Sequence, residues 1–228
     1  MYGNRSLAHT FVWESRRILQ LSPMQALFRK LKARGLAIET LDALEMFGAD
    51  GRRHTLDYRS KVHSLDIWEL DTKYLTGLRQ SFSDDQIRIT DTYQELLATT
   101  KTYDLLVEDS PGHLYGPNRE YCEHFDLLSD YLFRVARPST VIILTVVPQP
   151  LRQIPTARQL PTFTRHMQRR KQFYGTNDPE NVPVETMIPG YRRVLEANGF
   201  ALEWHVSVRR TLRSGVYYLA LKVRRSER

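Results

Sequence analysis

Cysteine and long apolar runs are nearly absent from the sequence, and their absence excludes several classes of protein. The single cysteine, Cys122, can form neither an internal disulfide nor a zinc site made of several thiolates. No run approaches the roughly 18 consecutive apolar residues of a membrane-spanning helix, and the N-terminus lacks the basic and then apolar pattern of a signal peptide. We therefore expect a soluble, cytoplasmic protein without a membrane partner.

The glycine-rich motifs of the common nucleotide-binding folds are also missing. In the segment EMFGADGRRHT, 45–55, Phe47 and Ala49 stand where the motif G-x-G-x-x-G would need glycine, and no P-loop pattern occurs. The histidines His54, His63 and His113 are too scattered to predict a metal site. These absences argue against a nicotinamide cofactor, a P-loop nucleotide and a bound metal.

The composition is that of an ordinary globular protein with an excess of positive charge. Of 228 residues, 41% are hydrophobic and 26% are charged, which disfavours a disordered or fibrous chain. Counting Lys and Arg against Asp and Glu, residues 1–35 (seven against one), 151–174 (six against none) and 208–228 (seven against one) each carry +6, whereas 36–150 (eleven against nineteen) carries −8. Solvated helix faces and a cationic surface for an anionic partner explain this pattern equally well.

Short apolar runs alternate with helical patterns through the middle of the chain. The run at 140–147 is rich in β-branched residues, as in a strand covered on both faces. The pattern at 120–136 is the longest helical one and predicts a single helix. This alternation is typical of βαβ units in a parallel sheet. Five strands are predicted, at 41–47, 63–70, 86–90, 103–109 and 140–147.

The first 35 residues precede this alternation. Apolar spacing predicts amphipathic helices at 10–20 and 23–35. Ser22 is the predicted N-cap of the second helix, and Gly35 closes it. We therefore expect an N-terminal helical extension, residues 1–35, ahead of one domain at 36–228.

The end of the chain carries a helix and a hairpin. A predicted helix at 188–200, with Pro189 near its start, precedes strands at 204–210 and 215–223 that alternate polar and apolar residues. The proline-rich residues 148–187 predict an insertion before this helix. The fold class is therefore α/β: a Rossmann-like, mostly parallel sheet of seven strands, with helices on both faces and an antiparallel C-terminal hairpin.

Acidic residues stand at the ends of four successive predicted strands. They are Glu45, Glu69, Asp91 and Asp109, separated by 24, 22 and 18 residues. In an open α/β sheet, ligands bind beyond the carboxyl ends of the strands. Helix capping explains one or two such acids, and the full series favours a ligand site.

The order and spacing of these residues resemble the class I S-adenosylmethionine-dependent methyltransferases. The first strand of that family ends in E/D-x-G-x-G-x-G, which stands here as EMFGADG, 45–51, with the acid and the last glycine matched. The segment YDLLVEDSP, 103–111, is similar to the family's fourth-strand motif, D-x-x-x-x-D-x-P. The resemblance covers about 36–224, with 148–187 unmatched.

This resemblance implies S-adenosylmethionine as cofactor and points to the residues that would hold it. Glu69 matches the family's acid that holds the ribose hydroxyls, and Asp91 matches the acid that hydrogen-bonds the adenine amino group. An acidic central body suits a sulfonium cation, and small residues let a backbone approach the cofactor closely. The first-strand motif adds Glu45, Phe47, Gly48 and Gly51.

The methyl acceptor is expected beside the Gly/Pro-rich loop at 110–118, after the fourth strand. Asp109 would orient the acceptor, His113 would act as general base, and Tyr115 would bind the acceptor. Two alternatives stay open: His113 is an exposed loop histidine, or Asp109 binds a divalent metal, as in some O-methyltransferases of this fold.

A basic segment in the predicted insertion is the second indication of a substrate. Residues 163–175 predict a lid helix in which Arg169 and Arg170 bind an anionic acceptor. A solvated helix without a binding role is the alternative.

The leading prediction is an S-adenosylmethionine-dependent methyltransferase that transfers methyl to an oxygen or nitrogen of a small molecule, a biosynthetic intermediate. An RNA methyltransferase that holds phosphates with its basic segments is the first alternative. A non-catalytic binding protein with the same fold is the second. A homo-oligomer is compatible with the sequence.

Overall fold

The computed structural model describes residues 22–51, 54–108, 113–115, 120–123, 125, 127–153, 155–210 and 215–226. The predicted helix at 10–20 and the acid Asp109 lie outside this part. For 113–115 and 120–122, the backbone is described and the side chains are not.

A seven-stranded sheet forms the centre of the molecule, in the order β3-β2-β1-β4-β7-β9-β8. Strands β1, β2, β3, β4 and β7 are parallel, and β9 pairs antiparallel with both β7 and β8. This is the predicted fold class. The strands are β1 Asp42–Met46, β2 Ser64–Glu69, β3 Ile87–Ile89, β4 Tyr103–Glu108, β7 Ala136–Val146, β8 Phe200–Arg209 and β9 Tyr217–Arg225, with a separate hairpin of β5 His113–Tyr115 and β6 Glu120–Cys122.

Helices cover both faces of the sheet. On one face, Ala43, Val107 and Ile143 pack in a cluster with residues of α1, α2 and α3, and on the other, Leu106 and Ile142 pack in a cluster with residues of α4 and α7. Successive residues of a strand point to opposite faces, so β7 contributes to both clusters. The helices are α1 Pro23–Ala33, α2 Thr55–Tyr58, α3 Leu75–Arg79, α4 Thr92–Ala98, α5 Pro150–Gln153, α6 Phe163–Tyr174 and α7 Val184–Ala197.

Helix α1 has the predicted start and end. Ser22 caps it, with the side chain accepting a hydrogen bond from the Gln25 backbone N–H at 3.1 Å. Gly35 follows it with φ at 82°, a conformation that favours glycine. Met24 and Leu27 are buried against the sheet, so α1 packs onto the domain. Within the described part of the chain, the helices are too short and too polar to span a membrane.

The single helix predicted at 120–136 is wrong. Residues 120–122 instead form β6, Leu127–Tyr131 form a π-helical turn, and Leu132–Arg134 form a 3-10 turn. Two tertiary interactions override the helical spacing: β6 pairs with β5, within the predicted loop 110–118, and Glu123 enters a buried ion pair. Strand β7 then begins at Ala136, four residues before the predicted start.

The helix predicted at 188–200 begins and ends earlier. Helix α7 spans Val184–Ala197, with Pro183 as its N-cap, so Pro189 lies inside the helix. The insertion predicted at 148–187 therefore contains α5, α6 and the first turn of α7. Strand β8 starts at Phe200, four residues before the predicted Trp204, because the chain turns at Gly199, where φ is 75°.

Candidate functional site

The carboxyl ends of β1, β2, β3 and β4 meet at one edge of the sheet. Met46 of β1 pairs with Trp68 of β2 and with Glu108 of β4, and Glu69 of β2 pairs with Ile89 of β3. Loops that leave these ends form the crevice in which open α/β sheets bind ligands. We call this edge the carboxyl edge.

The turn after β1, residues 47–51, has an unusual backbone. Phe47 and Ala49 adopt φ of 63° and 48°, and Gly51 adopts 69°. A residue with a Cβ in this left-handed region typically costs about 1–2 kcal/mol. These three positions are the ones at which the methyltransferase motif has glycine, so the turn keeps the glycine-type backbone although two of the glycines are replaced.

Gly48 lies in close contact with the next strand. A Cβ at this position would come within 2.4 Å of the Ile67 Cγ2 atom, and the Gly48 backbone N–H donates to the Trp68 carbonyl at 3.1 Å. The contact requires glycine and holds the turn against β2.

Glu69 joins the turn after β1 to the turn after β2. Its Oε2 accepts a hydrogen bond from the Ala49 backbone N–H at 2.7 Å, and its Oε1 accepts one from the Asp71 backbone N–H at 2.9 Å. The residue is 7% exposed. Each carboxylate oxygen has two acceptor sites, so Glu69 retains capacity for hydroxyl donors.

Asp91 follows β3 and caps α4. Its Oδ1 accepts hydrogen bonds from the backbone N–H groups of Tyr93 and Gln94, at 2.9 and 3.2 Å. The Thr90 backbone N–H donates to the Glu69 carbonyl at 2.8 Å, which holds the turns after β2 and β3 together. Asp91 therefore caps the helix, as the capping interpretation predicts. Its side chain is also exposed at the carboxyl edge, where a ligand can reach it.

Glu45 is placed differently from the other strand-end acids. Its side chain is completely buried and accepts hydrogen bonds from His54 Nε2 at 2.7 Å, Thr55 Oγ1 at 2.8 Å and the Tyr58 hydroxyl. The carboxylate therefore fastens α2 to β1 and does not open onto the crevice.

The carboxyl end of β4 is Glu108, a residue that the sequence analysis missed. It is buried and borders a small cavity. Its position immediately before Asp109 in the fourth-strand motif was the available signal. Asp109 lies outside the described residues, as do the side chains of His113 and Tyr115. The cavity is lined by Glu108, Glu123, Phe125, Leu128, Leu144, Thr145 and Tyr191.

A buried polar cluster shares Glu123 and Tyr191 with the lining of this cavity. Glu123 pairs with the Arg170 guanidinium, with His166 Nε2 at 2.8 Å and with the Tyr174 hydroxyl at 3.1 Å. The Tyr174 hydroxyl lies 3.2 Å from that of Tyr191. Burial alone would raise the pKa of Glu123, but the Arg170 charge and the His166 hydrogen bond hold it below its ordinary value. Burial and the Glu123 charge raise the pKa of Tyr191.

Arg170 corrects an expectation about the basic helix. Helix α6 forms as predicted, but Arg170 is completely buried, and its Nε donates to the Pro179 carbonyl at 2.7 Å. Arg170 therefore holds the insertion together and does not face an acceptor as predicted. Arg169 is half-buried, with its guanidinium 5.8 Å from the centre of the Phe125 ring.

Across the described residues, no group of three or more His, Cys, Asp or Glu side chains has the arrangement of a metal site. Asp109 lies outside the described residues, so its alternative role as a metal ligand stays a prediction.

Comparison with known proteins identifies the fold. No protein-family model and no curated protein matches the sequence. Among solved structures, a putative sarcosine dimethylglycine methyltransferase from Galdieria sulphuraria aligns with a TM-score of 0.53 at 12% identity, over 89% of this chain and 85% of that one. The 1,6-didemethyltoxoflavin-N1-methyltransferase of Burkholderia thailandensis aligns at 0.52 and 15% identity, over 90% and 77%.

A third structure extends the likeness to almost the whole chain. The magnesium protoporphyrin IX methyltransferase of Synechocystis PCC 6803 aligns with a TM-score of 0.51 at 15% identity, over 99% of this chain and 90% of that one. The chain shares the Rossmann-like α/β fold of these three methyltransferases.

Proposed function

We propose that the protein is an S-adenosylmethionine-dependent methyltransferase that acts on a small molecule at the carboxyl edge. The observation that carries the proposal is the turn at 47–51. Its backbone has positive φ at the three positions of the motif glycines, although two of them are Phe47 and Ala49. Because left-handed backbone costs free energy at residues with a Cβ, its retention points to a functional turn. The Burkholderia and Synechocystis enzymes, whose structures contain bound S-adenosylhomocysteine, support this choice of cofactor.

The residues at the carboxyl edge fit this cofactor. A Cβ at Gly48 or Gly51 would come within 2.5 Å of neighbouring side chains, so the two glycines let the turn at 47–51 pack closely against the domain. Glu69 offers two oxygens to a ribose diol, and Asp91 offers a carboxylate to an adenine amino group. Bound S-adenosylmethionine supplies an electrophilic methyl group on a positively charged sulfur.

Glu45 acts in this proposal as a positioning residue. Its three hydrogen bonds hold His54 and α2, the first described residues after the turn at 47–51, against β1, from which the turn leaves. This positioning role replaces the direct cofactor contact that the sequence predicted for Glu45.

The acceptor is proposed to bind beyond β4. Glu108 marks the end of this strand, and Asp109, His113 and Tyr115 follow it in the chain. Asp109 would orient the acceptor, Tyr115 would bind it, and His113 would accept its proton where the acceptor must lose one. Alignment of the attacking atom with the methyl group supplies most of the rate acceleration in such a displacement.

Calorimetric titration with S-adenosylhomocysteine tests the proposal. The wild type should bind it, and Glu69→Ala should bind it about ten- to hundredfold more weakly, since a hydrogen bond to a charged group is worth roughly 1.5–3 kcal/mol. Glu39→Ala, at an exposed acid far from the crevice, is the matched control and should bind like the wild type. Equal affinity in a folded Glu69→Ala protein would remove Glu69 from the site, and no binding by the wild type would favour the non-catalytic alternative.

An RNA substrate is a second candidate, favoured by the outer face of α1. Arg29, Lys30, Lys32 and Arg34 are exposed there, and residues 22–38 contain no acid. Nucleic-acid binding through such residues weakens steeply with salt. Titration of a fluorescent RNA oligonucleotide at 50 and 200 mM salt separates the two candidates: a K30Q/K32Q variant should lose affinity only if RNA binds this face.

A further inference from the structure

A cavity separate from the crevice lies between the insertion and the C-terminal hairpin. Its volume is about 440 Å³, within the roughly 300–1,000 Å³ of small-molecule sites. It opens beside the carboxyl ends of β7 and β8, which are parallel to each other because both pair antiparallel with β9. The lining residues come from the chain after β7, the start of α7 and both hairpin strands: Pro148, Gln149, Arg152, Asn181, Val182, Pro183, Val184, Glu185, Ser207, Arg209, Gly215 and Tyr217.

Hydrogen bonds between the two ends of the insertion build one wall of this cavity. The Val182 backbone N–H donates to the Pro148 carbonyl at 2.9 Å, and Gln149 Nε2 donates to Asn181 Oδ1 at 3.3 Å. The Arg152 backbone N–H donates to the Gln149 carbonyl at 3.1 Å, which fixes the start of the Arg152 side chain beside the wall. The wall is therefore formed before any ligand binds.

Positive charge dominates the cavity lining. Arg152 and Arg209 bring two guanidinium groups, and Glu185 is the single acid among the lining residues. The Glu185 carboxylate lies 3.2 Å from His205 Nε2, a partner outside the lining. Helix α7 begins at this cavity with Glu185 in its first turn, so this carboxylate offsets the positive end of the helix dipole and the two arginines supply the net positive charge.

Apolar groups complete the lining. Val182, Pro183 and Val184 contribute aliphatic surface, and Tyr217 contributes an aromatic side chain. A ligand with an apolar body and one anionic group matches this combination, because guanidinium groups bind carboxylate and phosphate through paired hydrogen bonds.

The cavity lies within reach of the proposed acceptor site. Tyr217 of β9 pairs with Val146 of β7, and Glu108 of β4 pairs with Leu144 of β7. Neighbouring strands are about 4.8 Å apart and each residue adds about 3.3 Å, so roughly 12 Å separates Tyr217 from the end of β4. An extended molecule of this length can occupy both places.

We propose that this cavity binds the anionic group, a carboxylate or a phosphate, of the methyl acceptor, and that Arg152 and Arg209 hold it. The assignment of the ligand as the acceptor rests on the proposed function. It places the anionic group in a cavity whose Tyr217 wall lies roughly 12 Å from the end of β4. The acceptor specificity of the enzyme would then lie in the insertion and the hairpin, with Arg152 and Arg209 in the role first predicted for Arg169 and Arg170.

Titration with inorganic phosphate, and separately with benzoate, tests the proposal. The thermal unfolding midpoint is followed at constant ionic strength, held with sodium chloride, because a ligand of the native state raises it in a saturable way. We expect one of the two anions to raise the midpoint of the wild type in a saturable way. The anion that does so identifies the bound group as a phosphate or a carboxylate. R152Q and R209Q should each weaken that binding about tenfold, and both should fold normally because the two side chains are exposed.

R158Q is the matched control. Arg158 is an exposed arginine of the same insertion that pairs with Glu180 outside the cavity, and this variant should bind anions like the wild type. Saturation by neither anion, or equal binding by R152Q, R209Q and the wild type, would overturn the proposal. S-adenosylhomocysteine titration of the same variants separates the two proposals. If S-adenosylhomocysteine binds and the anions do not, this inference alone fails. If the anions bind at the arginines and S-adenosylhomocysteine does not bind, the proposed function fails.

Discussion

At the scale of single residues, Ala49 is the most informative position in the crevice. It has φ of 48°, and its backbone N–H donates to Glu69 at 2.7 Å. Ala49 therefore carries conformational strain at the point where the turn after β1 contacts Glu69, the residue proposed to accept hydrogen bonds from the ribose hydroxyls. A glycine would adopt the same backbone without strain.

We predict that Ala49→Gly leaves stability unchanged or raises it by up to about 1 kcal/mol. Relief of left-handed strain, roughly 1–2 kcal/mol, exceeds or balances the entropy cost of a glycine, roughly 0.4–1 kcal/mol. Urea unfolding measures the difference. The control is Ala26→Gly inside α1, which should cost about 1 kcal/mol. A loss of similar size at both positions would contradict the strained turn.

At the scale of elements, a buried ion pair joins the insertion to the segment that follows β6. Arg170 of α6 reaches Glu123, which follows β6, and the carbonyl of Pro179. Sequence spacing predicted α6 and its basic character correctly. It could not predict which arginine turns inward, because Arg169 and Arg170 are chemically identical neighbours and only the position of Glu123 selects one of them.

Replacing the two arginines separately tests this attachment. Arg170→Gln should destabilise the protein by about 3–5 kcal/mol, since it leaves the Glu123 carboxylate buried without its cation. Arg169→Gln should cost about 1 kcal/mol or less, the size of an exposed cation–π contact with Phe125. Both values come from urea unfolding. Similar losses in the two variants would show that Arg170 has no special structural role.

At the scale of the whole molecule, one network of ion pairs joins three strands of the sheet at the edge opposite the crevice, which we call the amino edge. The Arg137 guanidinium contacts Asp42 Oδ2 at 2.7 Å and also pairs with Asp104, so β7 is joined to β1 and β4. Hydrogen bonds from His63 and Ser64, together with the Arg137 charge, hold the pKa of Asp42 well below its ordinary value. These ion pairs give the amino edge a structural role.

This arrangement predicts an acid-dependent stability. A carboxyl group whose pKa is lowered by folding stabilises the protein above its unfolded pKa, about 4, and this contribution is lost as the pH falls further. The stability difference between the wild type and Asp42→Asn should be constant above about pH 5 and shrink below about pH 4. Urea unfolding from pH 7 to pH 3 measures it, with Asp85→Asn at an exposed aspartate as control. A difference that stays constant down to pH 3 would contradict the shifted pKa.

The succession of strands and helices and the edge of the sheet that carries the acids follow from the sequence to a large extent, because hydrophobic periodicity and strand-end acids are local signals. The turn at 47–51 is predicted by position although two motif glycines are replaced. Glu45 is misassigned as a cofactor ligand because its three partners, His54, Thr55 and Tyr58, are settled only by packing. The anion cavity leaves no sequence pattern, since Arg152 and Arg209 lie far apart in the chain.

The most direct test of the central claim is amide hydrogen exchange with and without S-adenosylhomocysteine. If the carboxyl edge is the cofactor site, saturating ligand should slow exchange at 47–51, 70–71 and 92–95, because these backbone N–H groups belong to the turns that would close on the ligand. Exchange in α1, on the outer face of the domain, should not change. Absence of protection at these turns, or protection confined to other segments, would contradict the assignment of a cofactor site at the carboxyl edge.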